Sequence, residues 1–541
     1  MHGTSQPSDR ETHVAIVGGG ASGTLVAVQL LLHAAERRVR LYVTMIDRHG
    51  RHGLGQAYST EHPAHLLNAM AGQMSAMPGD PEHLLRWAAT VPDQAGPHQA
   101  GPHQAGPHQA GPHQAGPDQA GPDQAGPDQA GPHQAAPDQA AGIGGTVRRP
   151  AAEQASRRAV RDTTFLSRQE YGRYLLDTLA GAEREALAFA RLSRVRAEVT
   201  AIRRQPAGRP LRLILADGGE MEADTAILAT GNAPARLPFD VPPTGRAIAD
   251  PWLPGALDAV AADAARGASV VIVGTGLTMI DLAVMLTSAS PATTVHAVSR
   301  HGLLPRTHPG TRPAGRQLWL PVISRTTGPV RLTELLWQVR STVNASPANW
   351  PTVMDALRPY VPGLWRRMPE RDKRLFLRHV ARYWEVHRHL IPPATASRIA
   401  ALRGTGQLRL LRGRVASVTG ENGRLRVLVA DGADSVELPA DWLINSTGST
   451  ADVGATASPL LRNLFDTGQA RPDPVGLGID ADARGAVMNA AGEPSDVLFA
   501  LGPPLRGVWY ETTAIPEIRE QAAALARRIT GERQVRRPGA A

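Results

Sequence analysis

The stretch His13 to Asp47, HVAIVGGGASGTLVAVQLLLHAAERRVRLYVTMID, sets the architecture of this chain. It opens with a short apolar run typical of a buried parallel strand. Gly18, Gly20 and Gly23 follow in the pattern G-x-G-x-x-G, and an apolar helical stretch and a second strand then end at the aspartate. These elements together predict a βαβ unit that binds a dinucleotide.

Each glycine of the pattern has its own physical role. Gly18 permits the tight turn, Gly20 lets the backbone approach a pyrophosphate, and Gly23 allows helix and strand to pack closely. The helix N-terminus offers free N–H groups, and Asp47, about 24 residues later, can bind ribose hydroxyls. The alternatives are a glycine-rich turn of another α/β unit or a membrane span over residues 14–35, which the glycine spacing argues against.

Composition narrows the function classes. The 541 residues are enough for two or three domains, and the absence of cysteine excludes disulfides, cysteine–zinc sites and dithiol redox chemistry. The net charge of +9 is scattered over arginines without a nucleic-acid motif, and Lys373, the single lysine, makes a Schiff-base enzyme improbable. With no signal-peptide core and no apparent span, we expect a cytoplasmic protein without nucleic-acid or membrane partners.

Residues 92–141 are ten pentapeptides of the form P-[HD]-Q-A-[GA]. Proline at every fifth position interrupts helical hydrogen bonding, and alanine is the largest apolar side chain available for burial. We therefore predict a disordered or polyproline-like insert. Five of its repeats carry histidine, but a disordered tract holds ligands at a high entropic cost, so we predict no metal site.

A second nucleotide unit follows over Ser269 to Arg300, with the order strand, G-x-G, helix and strand. Gly274 and Gly276 occupy the first two glycine positions, and Met279 stands at the third. The strand ends in Arg300 where the first unit has an aspartate, and an arginine there favours the 2′-phosphate of NADPH over the free hydroxyl of NADH. The alternative is an ordinary surface arginine.

The rest of the chain repeats this organisation. Each unit is followed by a strand meander that ends in a Thr-Gly pair, at Thr230-Gly231 and at Thr447-Gly448, and such a strand end commonly lies against the dinucleotide. We predict an α/β fold with two Rossmann-like domains, the FAD-binding one discontinuous. The predicted boundaries are 10–90, 151–245 and 451–535 for the FAD-binding domain, 91–150 for the insert, 246–316 and 402–450 for the NAD(P)-binding domain, and 317–401 for a helical insert.

Two further segments bear on the cofactor and substrate. The helical insert contains His379, His387 and His389, which we interpret as structural, and arginines such as Arg366, Arg367 and Arg382, which favour an acidic substrate. Near the C-terminus, a strand and a Gly502 loop precede a helix predicted to start near Thr512 or Thr513. Its positive end could stabilise negative charge on a reduced flavin.

The chain resembles the bacterial FAD/NAD(P)-binding proteins of the two-dinucleotide, flavin-containing-monooxygenase-like group. The matching stretches are VAIVGGGASG, GLGQAYST with HLLNAMAGQMSA, SRQEYGRYL, ILATG, VIVGTGLTMIDLAV with SRHGLLP, RYWEVHRH and GVWYETTAIPEIREQ. They cover nearly the whole chain apart from the pentapeptides, which depart from the usual pattern. The resemblance identifies cofactors better than it identifies a substrate.

The resemblance implies two cofactors, FAD and NADPH. The expected FAD-binding set, including residues beside the flavin ring, is Gly18, Gly20, Ala21, Ser22, Gly23, Asp47, Arg48, Asn68, Met74, Ser75, Thr230, Gly231, Gly502 and Thr512. The expected NADPH-binding set is Gly274, Gly276, Leu277, Thr278 and Arg300. No catalytic residue and no metal ligand is assigned.

The leading functional hypothesis is a monooxygenase that uses NADPH and molecular oxygen and acts through a flavin C4a-hydroperoxide on a small molecule, with an amine nitrogen as the expected acceptor of the oxygen atom. In such an enzyme the flavin carries the difficult chemistry, which agrees with the absence of a recognisable catalytic triad or carboxylate pair. One alternative is an NADPH-dependent reductase or electron-transfer oxidoreductase without oxygen insertion. A second alternative is a non-catalytic nucleotide-binding protein.

Overall fold

The computed structural model describes residues 11–91, 160–206, 209–233, 236–309, 327–345, 350–448, 453–454 and 458–531. The chain divides into one unit of residues 1–88 and 160–541 and another of residues 89–159. The predicted insert at 91–150 and its five histidines lie outside the described residues, except for position 91. The fold below is that of the first unit.

The described strands, in chain order, are β1 (Thr12–Val17), β2 (Leu41–Asp47), β3 (Ala190–Arg196), β4 (Val199–Arg203), β5 (Leu211–Leu215), β6 (Glu220–Ala223), β7 (Thr225–Leu228), β8 (Ala247–Ile248), β9 (Ser269–Val273), β10 (Thr294–Ser299), β11 (Leu408–Arg412), β12 (Arg414–Glu421), β13 (Arg424–Asp431), β14 (Asp434–Ala440), β15 (Trp442–Asn445), β16 (Ala486–Met488) and β17 (Pro494–Ala500).

The described α-helices are α1 (Ala21–Arg37), α2 (His83–Thr90), α3 (Arg168–Ala186), α4 (Asp258–Ala264), α5 (Leu277–Ala289), α6 (Leu332–Ala345), α7 (Trp350–Leu357), α8 (Val361–Arg367), α9 (Glu370–His379), α10 (Ala381–Arg388), α11 (Pro393–Gly404), α12 (Pro459–Asp466), α13 (Arg506–Trp509) and α14 (Ile515–Gly531). None of these helices is long and apolar enough to cross a membrane.

Two parallel sheets share the order of four of their strands. The first runs β3-β2-β1-β7-β17, with β16 added antiparallel at its edge, and the second runs β11-β10-β9-β15-β8. In each sheet the strand before the glycine loop lies in the middle, because the crossover helix returns the chain to one side and the meander returns it to the other. The predicted α/β fold with two Rossmann-like domains is confirmed.

The strands before both glycine loops are buried on both faces, as their continuous apolar runs predict. Helices α1, α3 and α14 pack over the first sheet, and α4, α5 and α11 pack with the second. The meanders β4-β5-β6 and β12-β13-β14 form two small antiparallel sheets. Met279, at the third glycine position of the second unit, is fully buried in the core of its domain.

The helical insert is smaller than its predicted boundaries. Ile399 and Leu402 of α11 are buried in the core of the second domain, so α11 belongs with that domain although the predicted boundary at residue 401 divides it. Helices α6 to α10 contribute instead to a separate cluster around Trp365 and Phe376, which also includes Tyr510. The insert therefore packs against the C-terminal part of the first domain.

A buried ion pair joins the two Rossmann-like domains. Arg168 at the start of α3 contacts the carboxylate of Asp281 on α5 at 2.6 Å, and the His65 ring lies 3.1 Å from the Asp281 carbonyl oxygen. Burial raises the pKa of Asp281 to about 6, against the opposing effect of Arg168. Burial lowers the pKa of His65 to about 4, so the ring is neutral at pH 7. The space between the domains is thus fixed at one end by oriented polar contacts.

Candidate functional site

The first glycine loop has the geometry that its sequence predicts. Gly18 has φ of +116°, and a Cβ built on it would lie 2.2 Å from the Ala229 carbonyl oxygen at the end of β7. A Cβ on Gly23 would lie 2.0 Å from the Gly18 carbonyl oxygen. Two of the three glycines are thus required by close backbone packing, which brings the start of α1 to the ends of β1 and β7.

The N-terminus of α1 is shaped for an external anion. Its N-cap, Gly20, provides no side-chain hydrogen bond, and its first turn contains no acidic residue. The first amide groups of a helix have no intrahelical acceptor, so those of Ala21, Ser22 and Gly23 suit a pyrophosphate. Among the described residues, a Cβ on Gly20 would have only the Gly55 Cα, at 3.4 Å, as a neighbour within 4 Å. The loop therefore fits the pyrophosphate of FAD.

Asp47 supports the loop as well as facing a cleft. Its carboxylate accepts hydrogen bonds from the backbone amides of Gly19, His49 and Arg51 at 2.9–3.1 Å. The cleft beside it, the adenosine cleft, is lined by five of the predicted FAD-binding residues, namely Gly18, Asp47, Arg48, Thr230 and Gly231. These residues fit the adenosine half of FAD, with the ribose role of Asp47 remaining a prediction.

The second glycine loop repeats this construction. Gly274 has φ of +114°, and a Cβ on it would lie 2.4 Å from the Ser446 carbonyl oxygen at the end of β15, the counterpart of Ala229. Gly276 is the N-cap of α5, again without a side-chain hydrogen bond, and a Cβ on it would meet no described heavy atom within 4 Å. The space that a pyrophosphate needs is therefore present here too.

One large cleft, the central cleft, brings both sets of predicted residues together. It contains about 2050 Å³ of empty space including its open mouth. Asn68 and Met74 from the first domain line it, as do the residues of the second glycine loop and Arg300. From the second set, the lining residues are Gly274, Gly276, Leu277, Thr278 and Arg300. A flavin ring beside Met74 and an NADPH molecule whose pyrophosphate lies at Gly276 would share this cleft.

Four predicted FAD-binding residues make contacts within the protein, namely Ser22, Ser75, Gly502 and Thr512. Ser22 is buried, and a Cβ on Gly502 would lie 2.5 Å from its hydroxyl oxygen. The Ser75 hydroxyl donates to the Asp80 carbonyl at 2.6 Å. The hydroxyl of Thr512 donates to the Gly502 carbonyl at 3.1 Å and is fully buried. These side chains shape the loops around the site.

The neighbouring residue, Thr513, lines the central cleft in place of Thr512. The C-terminal helix begins at Ile515 rather than near Thr512 or Thr513, so the predicted start is two to three residues too early. Its first residues, Ile515 and Pro516, also line the cleft. The N-terminal end of this helix therefore borders the cleft where the flavin is expected. The sequence predicts the presence of the helix but not the residue at which it starts.

The sequence did not reveal a network of buried ion pairs between the helical insert and the C-terminal segment. Arg358 binds Glu517 through two hydrogen bonds of 2.7 and 2.9 Å. Arg388 lies 3.2 Å from the Glu511 carboxylate, which also accepts a hydrogen bond from the Trp384 indole at 2.9 Å. The only sequence signal was the presence of arginines and carboxylates in two segments more than 100 residues apart.

The histidines and arginines noted in the insert differ in position. His389 and Arg382 line the central cleft, whereas Arg366 is exposed and Arg367 donates to the Gly363 carbonyl. Within the described part of the chain, no group of three or more histidine and acidic residues has a geometry that could hold a metal ion. Of the residues named here, Arg382 and His389 are therefore the ones placed to contact a molecule bound in the cleft.

Burial lowers the pKa of His389 to about 3, with further contributions from Arg388, Arg506 and Arg358. An unfolded chain takes up a proton at this histidine near pH 6.5, whereas the folded chain does so only near pH 3. The stabilisation is complete above pH 6.5 and decreases as the pH falls. We expect His389 to account for a loss of about 2–3 kcal/mol in unfolding free energy between pH 7 and pH 4.

Urea unfolding of the wild type and of His389→Gln at pH 7, 5.5 and 4 measures this contribution. The wild type should lose more stability on acidification than the variant. His379→Gln, which removes an exposed histidine of the same insert, serves as the control and should follow the wild type. Parallel pH profiles for all three proteins would contradict the expectation.

Two Rossmann-like units, each with a glycine loop at a helix N-terminus and both bordering one cleft, define a two-dinucleotide-binding flavoprotein fold. The FAD-NAD(P)-binding family model matches residues 15–112 and 141–233, which include the first glycine loop and Thr230-Gly231. The predicted resemblance and the predicted cofactor classes, FAD and NAD(P), are confirmed. No curated protein sequence matches the chain.

Solved structures with similar folds include an N-hydroxylase and two monooxygenases. An ornithine N-hydroxylase from Kutzneria sp. 744, in complex with reduced FAD, NADP⁺ and L-ornithine, is 16% identical, with 97% of this chain and 100% of that chain covered and a TM-score of 0.56. The L-lysine 6-monooxygenase of Pseudomonas syringae is 14% identical, with 97% of this chain and 99% of that chain covered and a TM-score of 0.54. The cadaverine monooxygenase of Erwinia amylovora, bound to FAD, is 11% identical, with 96% of this chain and 94% of that chain covered and a TM-score of 0.55. At these identities the likeness establishes the fold.

Proposed function

We propose that this protein is an FAD-dependent monooxygenase that uses NADPH and molecular oxygen to hydroxylate an amine nitrogen of a small molecule. The observation that carries the proposal is the central cleft, where Asn68 and Met74 on the flavin side face the second glycine loop. Three enzymes with this fold over almost their whole lengths act on ornithine, lysine and cadaverine, all of which carry amines.

The chain's residues would hold the cofactors in defined places. The amides at the start of α1 would bind the FAD pyrophosphate, and Asp47 would accept hydrogen bonds from its ribose. The amides at the start of α5 would bind the NADPH pyrophosphate, and Arg300 its 2′-phosphate. When bound, FAD supplies the transfer of electrons from NADPH to molecular oxygen, from which one atom goes to the substrate nitrogen and the other to water.

The remaining requirement is a neutral amine, because a protonated nitrogen has no lone pair to offer. Glu385 and Asp355 line the central cleft and can bind an ammonium group, and Glu385 also accepts a hydrogen bond from Arg506 at 3.0 Å. His389 also lines the cleft, but with a pKa of about 3 it is a poor base at pH 7 and serves only as a neutral hydrogen-bonding group. We therefore propose that these carboxylates bind and orient the ammonium group, and that its proton passes to solvent rather than to this histidine.

The proposal is tested with the full chain loaded with FAD. NADPH and ¹⁸O₂ are supplied with each of ornithine, lysine, cadaverine and a panel of other small amines, and the products are analysed by mass spectrometry. We expect one amine to yield an N-hydroxylated product with a single ¹⁸O atom, formed in step with NADPH oxidation. NADPH oxidation that yields only hydrogen peroxide with every amine would instead favour a reductase or oxidase.

A further inference from the structure

A cluster of basic side chains lies where the helical insert meets the NAD(P)-binding domain. Arg300 and His301 follow β10 directly, and Arg382 reaches them from α10. The Arg382 guanidinium contacts the Nε2 atom of His301 and donates to the Arg378 carbonyl at 2.8 Å. Arg300, His301 and Arg382 all line the central cleft. Two segments about 80 residues apart thus place three basic groups at one point.

The cluster carries positive charge. Burial lowers the pKa of His301, and Arg382, Arg300, Arg412 and Arg414 lower it further. Of these arginines, Arg412 lies 3.4 Å from Asp431, whereas among the described residues Arg382 contacts His301 and the Arg378 carbonyl rather than a carboxylate. The lowered pKa keeps the His301 ring neutral at pH 7, so its Nε2 atom accepts a hydrogen bond from Arg382, and the positive charge of the cluster is that of Arg300 and Arg382.

One donor of Arg382 is buried without a partner. Its Nε atom is inaccessible to solvent, and within the described part of the chain it has no hydrogen-bond acceptor. An unsatisfied buried donor of a charged group costs stability, and a rotation of the side chain toward the cleft would let a ligand oxygen remove that cost. Arg382 is therefore poised for an anionic group with several acceptor oxygens, for which a phosphate is well suited.

The position of the cluster identifies which phosphate it would bind. In a Rossmann unit the residue at the end of the second strand is the one that meets the adenosine ribose, and Arg300 occupies that place after β10. We propose that Arg382 and His301 complete, together with Arg300, the binding site for the 2′-phosphate of NADPH. The inference rests on the proposed function for its choice of coenzyme.

This assignment gives the helical insert a role in coenzyme selection. A 2′-phosphate contacts Arg300 on the nucleotide domain and Arg382 on the insert, and so it links the two across the mouth of the cleft. NADH has only a hydroxyl at this position, and it forms the link weakly. Arg382 is thus a determinant of coenzyme specificity that lies outside the βαβ unit.

The test compares two fragments that differ only in the 2′-phosphate, namely 2′,5′-ADP and 5′-AMP. Binding of each to the FAD-loaded full chain is measured by isothermal titration calorimetry for the wild type, Arg382→Ala, Arg382→Lys and Arg371→Ala. Arg371 is an exposed arginine on α9 and provides a control with the same change in charge.

We expect Arg382→Ala to weaken 2′,5′-ADP at least about tenfold and to leave 5′-AMP unchanged, because a charge-assisted contact is lost. Arg382→Lys should recover part of the affinity, and Arg371→Ala should match the wild type. An unchanged affinity of Arg382→Ala for 2′,5′-ADP, or an equal loss for both fragments, would overturn the proposal. Because the readout is binding, it remains decisive even if every amine fails as a substrate.

Discussion

Alanine at Gly274 is expected to unfold the NAD(P)-binding domain, whereas alanine two residues later, at Gly276, should leave it folded but unable to hold its coenzyme. At Gly274 the added Cβ would lie 2.4 Å from the Ser446 carbonyl oxygen, and φ is +114°. Both the backbone strain and the clash oppose the native structure, so we expect a loss of at least about 3 kcal/mol.

Gly276 has an extended backbone, with φ of −82° and ψ of −164°, that alanine readily adopts, and the space around it is open. Its Cβ would project where the backbone must approach a pyrophosphate. Thermal unfolding and NADP⁺ titration separate the two effects. Gly276→Ala should keep the wild-type unfolding temperature and FAD content and lose at least about tenfold in NADP⁺ affinity. Equal stabilities of the two variants, or wild-type NADP⁺ binding by Gly276→Ala, would contradict this interpretation.

The glycine loops could be predicted because their chemistry is local. Gly18 and Gly274 need a left-handed backbone within a short strand–turn–helix segment, and the spacing of the glycines records this need directly. The repeated order of unit, meander and Thr-Gly pair then predicts two Rossmann-like domains, each with its own sheet. The structure has both sheets, with Ala229 and Ser446 as equivalent neighbours of the two first glycines.

Positions within the loops around the site are harder to predict. Thr512 and Thr513 are adjacent and chemically identical, yet one is buried against the Gly502 carbonyl and the other lines the central cleft. Both threonines lie in the loop before α14, where adjacent side chains point in different directions, so a shift of a single residue exchanges their roles. Neither composition nor periodicity resolves such a shift, and only the path of the folded chain does.

The buried charges could not be predicted because their partners come from distant segments. Arg388 and Glu511 are separated by more than 100 residues, and the sequence offers many other possible pairs. Which arginine meets which glutamate depends on how α10 packs against the segment before α14. The same holds for Arg382, whose place beside Arg300 follows from the packing of the insert rather than from a motif.

Removing the charge of Glu511 should destabilise the protein by about 3–5 kcal/mol. Glu511 is 4% exposed and lies beside Arg388, whose pKa is lowered by burial and by Arg358. In Glu511→Gln the Trp384 indole can still donate to the amide oxygen, so the main change is a buried guanidinium deprived of its nearest carboxylate. Such a charge is costly because the solvent cannot replace the lost partner.

A double-mutant cycle isolates the pair. Arg388→Met combined with Glu511→Gln removes both charges, so the double variant should be more stable than Glu511→Gln alone, with a coupling of at least about 1 kcal/mol. Glu520→Gln is the matched control: its carboxylate is exposed and lies 3.2 Å from Arg519, and its loss should change stability by less than about 1 kcal/mol. The unfolding free energies of the wild type, the two single variants, the double variant and the control, measured by urea titration at pH 7, give the coupling. Additive effects of the two substitutions would contradict this expectation. They would show that Arg388 and Glu511 are stabilised independently, through Trp384, Glu517 and their other neighbours. The ion pair would then have no part in holding the helical insert against the C-terminal segment.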